Sequence, residues 1–132
     1  MKRLLFYVSL LFPLVSFGQA TIRLGDSQCH TDFNCEESAF EDEGLCQKFG
    51  QKLTSKGYKL DSRAGGKSLL VSVSSDDEAG TWLGAYYVKF SVWDGNRYSY
   101  EEKHRVGFFS APDSVASSNF KYLLDNKIAN CR

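Results

Sequence analysis

Four cysteines constrain this chain more than any other feature: Cys29, Cys35, Cys46 and Cys131. Three lie in the first half and one stands beside the C-terminus, so any bridge to Cys131 closes most of the chain into a loop. In an oxidising compartment an even count implies two disulfides, and four cysteines allow three pairings. The gaps of 5, 10 and 84 residues between successive cysteines contain no C-x-x-C pair, which argues against a zinc ribbon. The expected bridges are Cys29–Cys35, closing a local loop, and Cys46–Cys131, tying two helices together. Spacing alone leaves the other two pairings open.

The N-terminus points to the compartment. Met1-Lys2-Arg3 precedes the apolar run Leu4 to Val15, and Ser16-Phe17-Gly18-Gln19-Ala20 forms a small-residue exit. That is the layout of a secretory signal peptide, with cleavage expected after Gly18 or Ala20. A retained anchor fits less well, because the run falls short of the roughly 20 residues a membrane span needs and Pro13 interrupts it. The expectation is therefore a signal peptide over 1–20 and one domain over 21–132, periplasmic or secreted, with no stable membrane insertion.

Composition narrows the function classes. The 132 residues carry 16 basic and 16 acidic side chains, and without Lys2 and Arg3 the balance is 14 against 16. A net charge this close to zero excludes a generic nucleic-acid binder. With 42% hydrophobic and 24% charged residues, the chain has enough apolar material for a core and is not a disordered one.

Periodicity predicts the elements. A weak strand is expected at Thr21–Leu24, and the polar stretch Gly25–Asn34 reads as loop. Ser38 and Glu41 stand in capping-box relation, and Phe40, Leu45, Cys46, Phe49 and Leu53 follow at helical spacing up to Lys56-Gly57. Strands are expected at Tyr58–Ser62 and Lys67–Ser75, where Leu69, Val71 and Val73 alternate with Leu70, Ser72 and Ser74. The strongest hairpin signal joins Thr81–Trp93 to Arg97–Phe109. A second helix is expected from about Ala111 to Ala129, with Ser110 as N-cap and Phe120, Leu124, Ile128 and Cys131 on one stripe. The fold class is α+β: a two-layer, mainly antiparallel β-sheet in the order β-α-β-β-β-β-α, with two helices packed on one face and disulfide staples.

Register in the hairpin follows from keeping apolar residues on one face. A two-residue Asp94-Gly95 loop pairs Val92 with Arg97, mixing core with charge. A three-residue loop, Asp94-Gly95-Asn96, pairs Val92 with Tyr98, Phe90 with Tyr100 and Trp82 with Phe108, and sets Lys89 opposite Glu101 and Trp93 opposite Arg97. Asn96 then takes the left-handed conformation that ends such a loop. This register predicts Glu102 and His104 on the apolar face, opposite Val88 and Tyr86.

Candidate chemistry is sparse. Glu102 with His104 is the one pair that suggests catalysis, since a carboxylate can orient an imidazole as a general base. Residues two apart on a strand are about 7 Å apart at Cα, so contact is not automatic. Asp76-Asp77-Glu78 lacks the spacing of a calcium loop and reads as a solvated turn. Gly65-Gly66-Lys67-Ser68 looks like a phosphate loop, but Asp61 holds the place of its first glycine and a strand follows instead of a helix. His30, Cys29, Asp32 and Cys35 could be drawn as a metal cluster, yet the cysteines are expected in disulfides; no metal or cofactor is expected. The outer hairpin face bears Tyr87, Lys89, Trp93, Arg97, Lys103 and Arg105, aromatics interleaved with cations of the kind protein interfaces use.

The run Phe40 through Leu53-Thr54-Ser55-Lys56-Gly57-Tyr58, then short strands and a closing helix, resembles small bacterial envelope proteins of unknown function. In these an L-x-x-K-G-[YF] helix end feeds an antiparallel sheet, and the likeness spans 38–128. Many of them are lipoproteins, whereas no cysteine stands near the exit of the leader here. The resemblance implies a fold and a compartment and carries no functional residue across. The function expected is a non-catalytic secreted or periplasmic binding protein (an accessory, inhibitor or immunity-type protein) whose partner is another envelope or secreted protein. The alternative is a small hydrolase or transferase using Glu102 and His104.

Overall fold

Residues that alternate apolar and polar build one sheet, and two amphipathic helices cover one side of it. The computed structural model describes residues 21–62, 66–75, 86–107 and 111–131. In chain order the elements are β1 (His30–Thr31), β2 (Phe33–Cys35), a 3-10 turn at Glu37–Ala39, α1 (Leu45–Ser55), β3 (Lys59–Leu60), β4 (Ser68–Ser75), β5 (Tyr86–Trp93), β6 (Tyr98–Val106) and α2 (Pro112–Asn126). The main sheet has the order β2-β4-β5-β6, with β2 parallel to β4 and the other neighbours antiparallel. Strands β1 and β3 form a small parallel pair beside it. The α+β class, the element order and the two helices on one face are as expected.

The first β element, however, is β1 and β2, not Thr21–Leu24, where only Ile22 bridges to Ile128. Within the stretch Gly25–Asn34, which reads as loop because it is polar, pairing with β3 and β4 makes His30–Thr31 and the start of Phe33–Cys35 extended. Helix α1 also starts later than expected. Ser38 lies in the 3-10 turn without a capping bond, and Asp42 supplies the turn, its Oδ1 accepting from Gly44 N at 2.8 Å. Asp113 of α2 ties down the same loop by accepting from the N–H groups of Glu41 and Asp42 at 3.0 and 2.8 Å. Ser110 lies outside the described residues, and Ala111 occupies the N-cap position of α2.

Four phenylalanines centre the core. The Phe120 ring of α2 stacks on Phe49 of α1 at 4.1 Å between centroids and sits 5.9 Å from Phe90 of β5 and 6.4 Å from Phe33 of β2. Leu69, Val71, Val88 and Val92 complete the sheet's contribution, all fully buried. The layer contact stabilises more than helix propensity can, since α1 contains Gly50 and needs tertiary packing.

The disulfides are Cys29–Cys131 and Cys35–Cys46, which corrects both expected pairs. Two consequences of the fold decide this. Strands β1 and β2 follow each other with only Asp32 between them, and this near-extended run carries Cys35 up to roughly 20 Å from Cys29 at about 3.3 Å per residue. Cys46 stands in the first turn of α1, whereas Cys131 N donates to the Lys56 carbonyl just past its last turn, at 2.9 Å. One helix length, roughly 15 Å at 1.5 Å per residue, separates them.

Gly66, from the fragment that looked like a phosphate loop, has a packing role. Its φ is +86°, and a β-carbon there would stand 2.4 Å from the Gly25 carbonyl oxygen. The next carbonyl, that of Lys67, accepts from Gly25 N and from Thr31 Oγ1, each at 2.8 Å. The glycine lets the N-terminal segment run close beside the backbone that leads into β4. Gly65 and the Asp76–Glu78 loop lie outside the described residues.

Candidate functional site

The β5–β6 hairpin turns through four residues, Asp94–Arg97, one more than expected. Asp94 N donates to the Arg97 carbonyl at 3.0 Å, and Asp94 Oδ1 accepts from Asn96 N and Arg97 N, both at 3.0 Å. Those two N–H groups hold the Asp94 carboxyl below its ordinary pKa. The positive φ in the turn, +104°, belongs to Gly95 and not to Asn96. A register shift follows: Trp93 pairs with Tyr98, but Val92 pairs with Tyr100, leaving Ser99 as the extra residue of a bulge.

The bulge moves Tyr98 from the apolar face to the outer one. It is 51% exposed and meets Trp93, 38% exposed, edge to face at 4.9 Å between ring centroids. Arg97 lies in the turn and does not pair with Trp93. Beyond the bulge the pairing differs from expectation by two residues, an even number, so every later side chain keeps its predicted face. Lys89 stands directly opposite Lys103, and each ammonium finds another partner. Lys89 Nζ reaches Glu101 Oε2 at 3.1 Å, the expected ion pair on a diagonal, and Lys103 Nζ lies 5.1 Å from the centroid of the Tyr87 ring. The predicted Trp82–Phe108 pair lies outside the described residues.

The outer face thus brings together Tyr87, Lys89, Trp93 and Lys103, adds Tyr98, and has Arg105 opposite Tyr87. Ser91 sits at its centre, fully buried, with a hydroxyl that has no hydrogen-bond partner among the described residues. Sequence reasoning missed Tyr98 because the alternation rule assigns it inward; only a bulge reverses that.

On the opposite face of β6, Tyr100, Glu102 and His104 form a connected row. Tyr100 Oη donates to Glu102 Oε1 at 2.7 Å, and His104 Nε2 lies 3.0 Å from Glu102 Oε2, a close contact without hydrogen-bond geometry. Glu102 faces Phe90 and His104 faces Val88, not the Val88 and Tyr86 expected. The His104 ring also meets Phe90 edge-on at 5.9 Å. Burial, and then the bond to Glu102, push the Tyr100 phenol well above its ordinary pKa. Tyr100 is therefore a hydrogen-bond donor at neutral pH, and Glu102 accepts from it with one carboxylate oxygen while the other lies against His104. The side chains of His104 and Glu102 keep 24% and 21% of their surface exposed, so the row lies at the sheet's rim.

Elsewhere, a shallow groove of about 280 Å³ runs between α1 and the edge of β2, lined in part by Phe33, Cys46, Gly50 and Leu60. Cys29 and Cys35, once candidates for a metal cluster, are both disulfide-bonded, and His30 Nδ1 lies 3.6 Å from Asp61 Oδ2. Among the described residues no helix is long and apolar enough to cross a membrane. Two disulfides fit an extracytoplasmic compartment. Comparison of the chain with models of protein families, with curated proteins and with solved structures finds no match.

Proposed function

We propose that this is a non-catalytic binding protein of the periplasm or the secreted fraction, exported by the leader over 1–20 and engaging another envelope or secreted protein through the outer hairpin face. The observation that carries the reading is the Trp93–Tyr98 edge-to-face pair, held by the bulge beside Tyr87, Lys89, Lys103 and Arg105. Tyr, Trp and Arg are the side chains that dominate binding energy at protein interfaces, and an aromatic truncated at the centre of such a contact typically costs about 2 kcal/mol or more.

The test is capture of a partner from the native envelope or secreted fraction by tagged mature protein, read by mass spectrometry. One stoichiometric partner should be recovered and then lost with the Trp93→Ala, Tyr98→Ala double variant. A partner retained at full stoichiometry by that variant rules out this face.

A second reading rests on the Glu102–His104 contact, which supports a general base on the other face. It requires turnover of an ester, phosphate or glycoside substrate that disappears in His104→Gln with the melting temperature unchanged. Activity that survives in that variant sinks it.

A further inference from the structure

Strand β6 carries a charge pattern that complements itself. Among the described residues β6 pairs only with β5, so the backbone groups along its other side have no strand partner. Such an edge can take up a further strand. The bulge lies near its start, and from Tyr100 to Val106 the strand runs in unbroken register. Over that stretch Glu101, Lys103 and Arg105 share the outer face, and Tyr100, Glu102, His104 and Val106 share the inner one.

Two copies of one edge related by a two-fold axis pair antiparallel. Inner residues meet inner ones only if the axis passes through a residue and not between two. An axis at Lys103 sets Glu101 opposite Arg105 of the second copy and Glu102 opposite its His104, each twice by symmetry, with Tyr100 opposite Val106. An axis at Glu102 would bring two half-buried carboxylates face to face, and one at His104 would set Lys103 against Arg105. Like charges directly opposite are destabilising, so these registers lose. At the favoured register Lys103 meets its own copy, but its ammonium is already drawn over the Tyr87 ring toward β5. Tyr122 of α2, 52% exposed and close enough to Tyr100 to influence its phenol, supplies apolar surface at the same edge.

We infer that the chain forms a two-fold symmetric dimer through antiparallel pairing of β6 centred on Lys103, joining the two main sheets into one. The inference does not depend on the outer-face partner.

The test is light scattering on the mature chain after size exclusion, at tens of micromolar. The expected mass is twice that of one chain. Glu101→Arg and Arg105→Glu should each weaken self-association by roughly tenfold or more, and combining them should restore the dimer. Both sites are exposed, and circular dichroism checks that each variant is folded. As a separate reading of the register, Lys103→Cys should give a covalent dimer under mild oxidation. A monomeric wild type, a dimer indifferent to both charge reversals, or a Lys103→Cys variant that does not cross-link would overturn the inference.

Discussion

Tyr58 shows how one side chain can join three parts of a chain. Its hydroxyl accepts from Leu24 N at 3.2 Å and donates to the Ala129 carbonyl at 2.5 Å, while the ring is 2% exposed. Burial raises its pKa. Tyr58→Phe keeps the ring but leaves a buried N–H and a part-buried carbonyl without this partner, at an expected cost of roughly 1–3 kcal/mol. Denaturant unfolding measures it, and an unchanged midpoint would mean that the hydroxyl bonds contribute nothing. Ser91 is the converse case, a buried hydroxyl with no hydrogen-bond partner among the described residues. Ser91→Ala should be neutral or stabilising by about 1 kcal/mol in the same assay; a clear loss would reveal a partner for that hydroxyl. Neither role was legible in the sequence. The pattern makes Tyr58 the first residue of a strand, which in the structure begins at Lys59, but its bonding partners lie 34 and 71 residues away, and local spacing does not record contacts of that range.

The hairpin separates what a pattern of residues can specify from what it cannot. Alternation decides which face a side chain takes, and Val88, Phe90, Val92, Glu102 and His104 all lie where it puts them. It cannot separate registers that differ by two residues, because both satisfy it. The choice was made by Asp94, whose carboxylate organises a four-residue turn, and by the bulge at Ser99. Helix α1 makes the same point: Phe49 and Leu53 face the core as their spacing requires, while the start moved to Leu45 because Asp42 and Asp113, and not Ser38, satisfy the backbone there. The turn should carry a pH signature. The Asp94 carboxyl is held below its ordinary value by the N–H groups of Asn96 and Arg97, so its contribution is present above pH about 4 and is lost as pH falls through the folded-state value. Asp94→Asn keeps both acceptor bonds but cannot titrate. Its melting temperature should therefore lose less than the wild type's between pH 7 and pH 3. Equal losses would exclude a role for the carboxylate charge.

At the scale of the molecule, the two bridges act on different parts of the fold. Cys35–Cys46 pins the start of α1 to β2 across 11 residues. Cys29–Cys131 closes a seam 102 residues long, where Ile22 and Lys127–Ala129 also exchange backbone hydrogen bonds and Cys131 N reaches Lys56. That seam gathers the N-terminal segment, the end of α1 and the C-terminus, which explains why no reading of cysteine spacing could find it: the partners are set by a helix length and an extended strand. Loop closure in the unfolded chain predicts about 4.7 kcal/mol for the long bridge and about 2.8 kcal/mol for the short one. Replacing both members of a pair by Ser avoids a stray thiol, so the two double variants isolate the two loops. Cys29→Ser with Cys131→Ser should lower stability more than Cys35→Ser with Cys46→Ser, in urea unfolding under non-reducing conditions. The seam's hydrogen bonds remain in the first variant, so it should still fold cooperatively, only less stably. The reverse order of losses would mean that the unfolded chain's entropy is not what these bridges act on, and that the local tie between β2 and α1 holds the helix layer to the sheet.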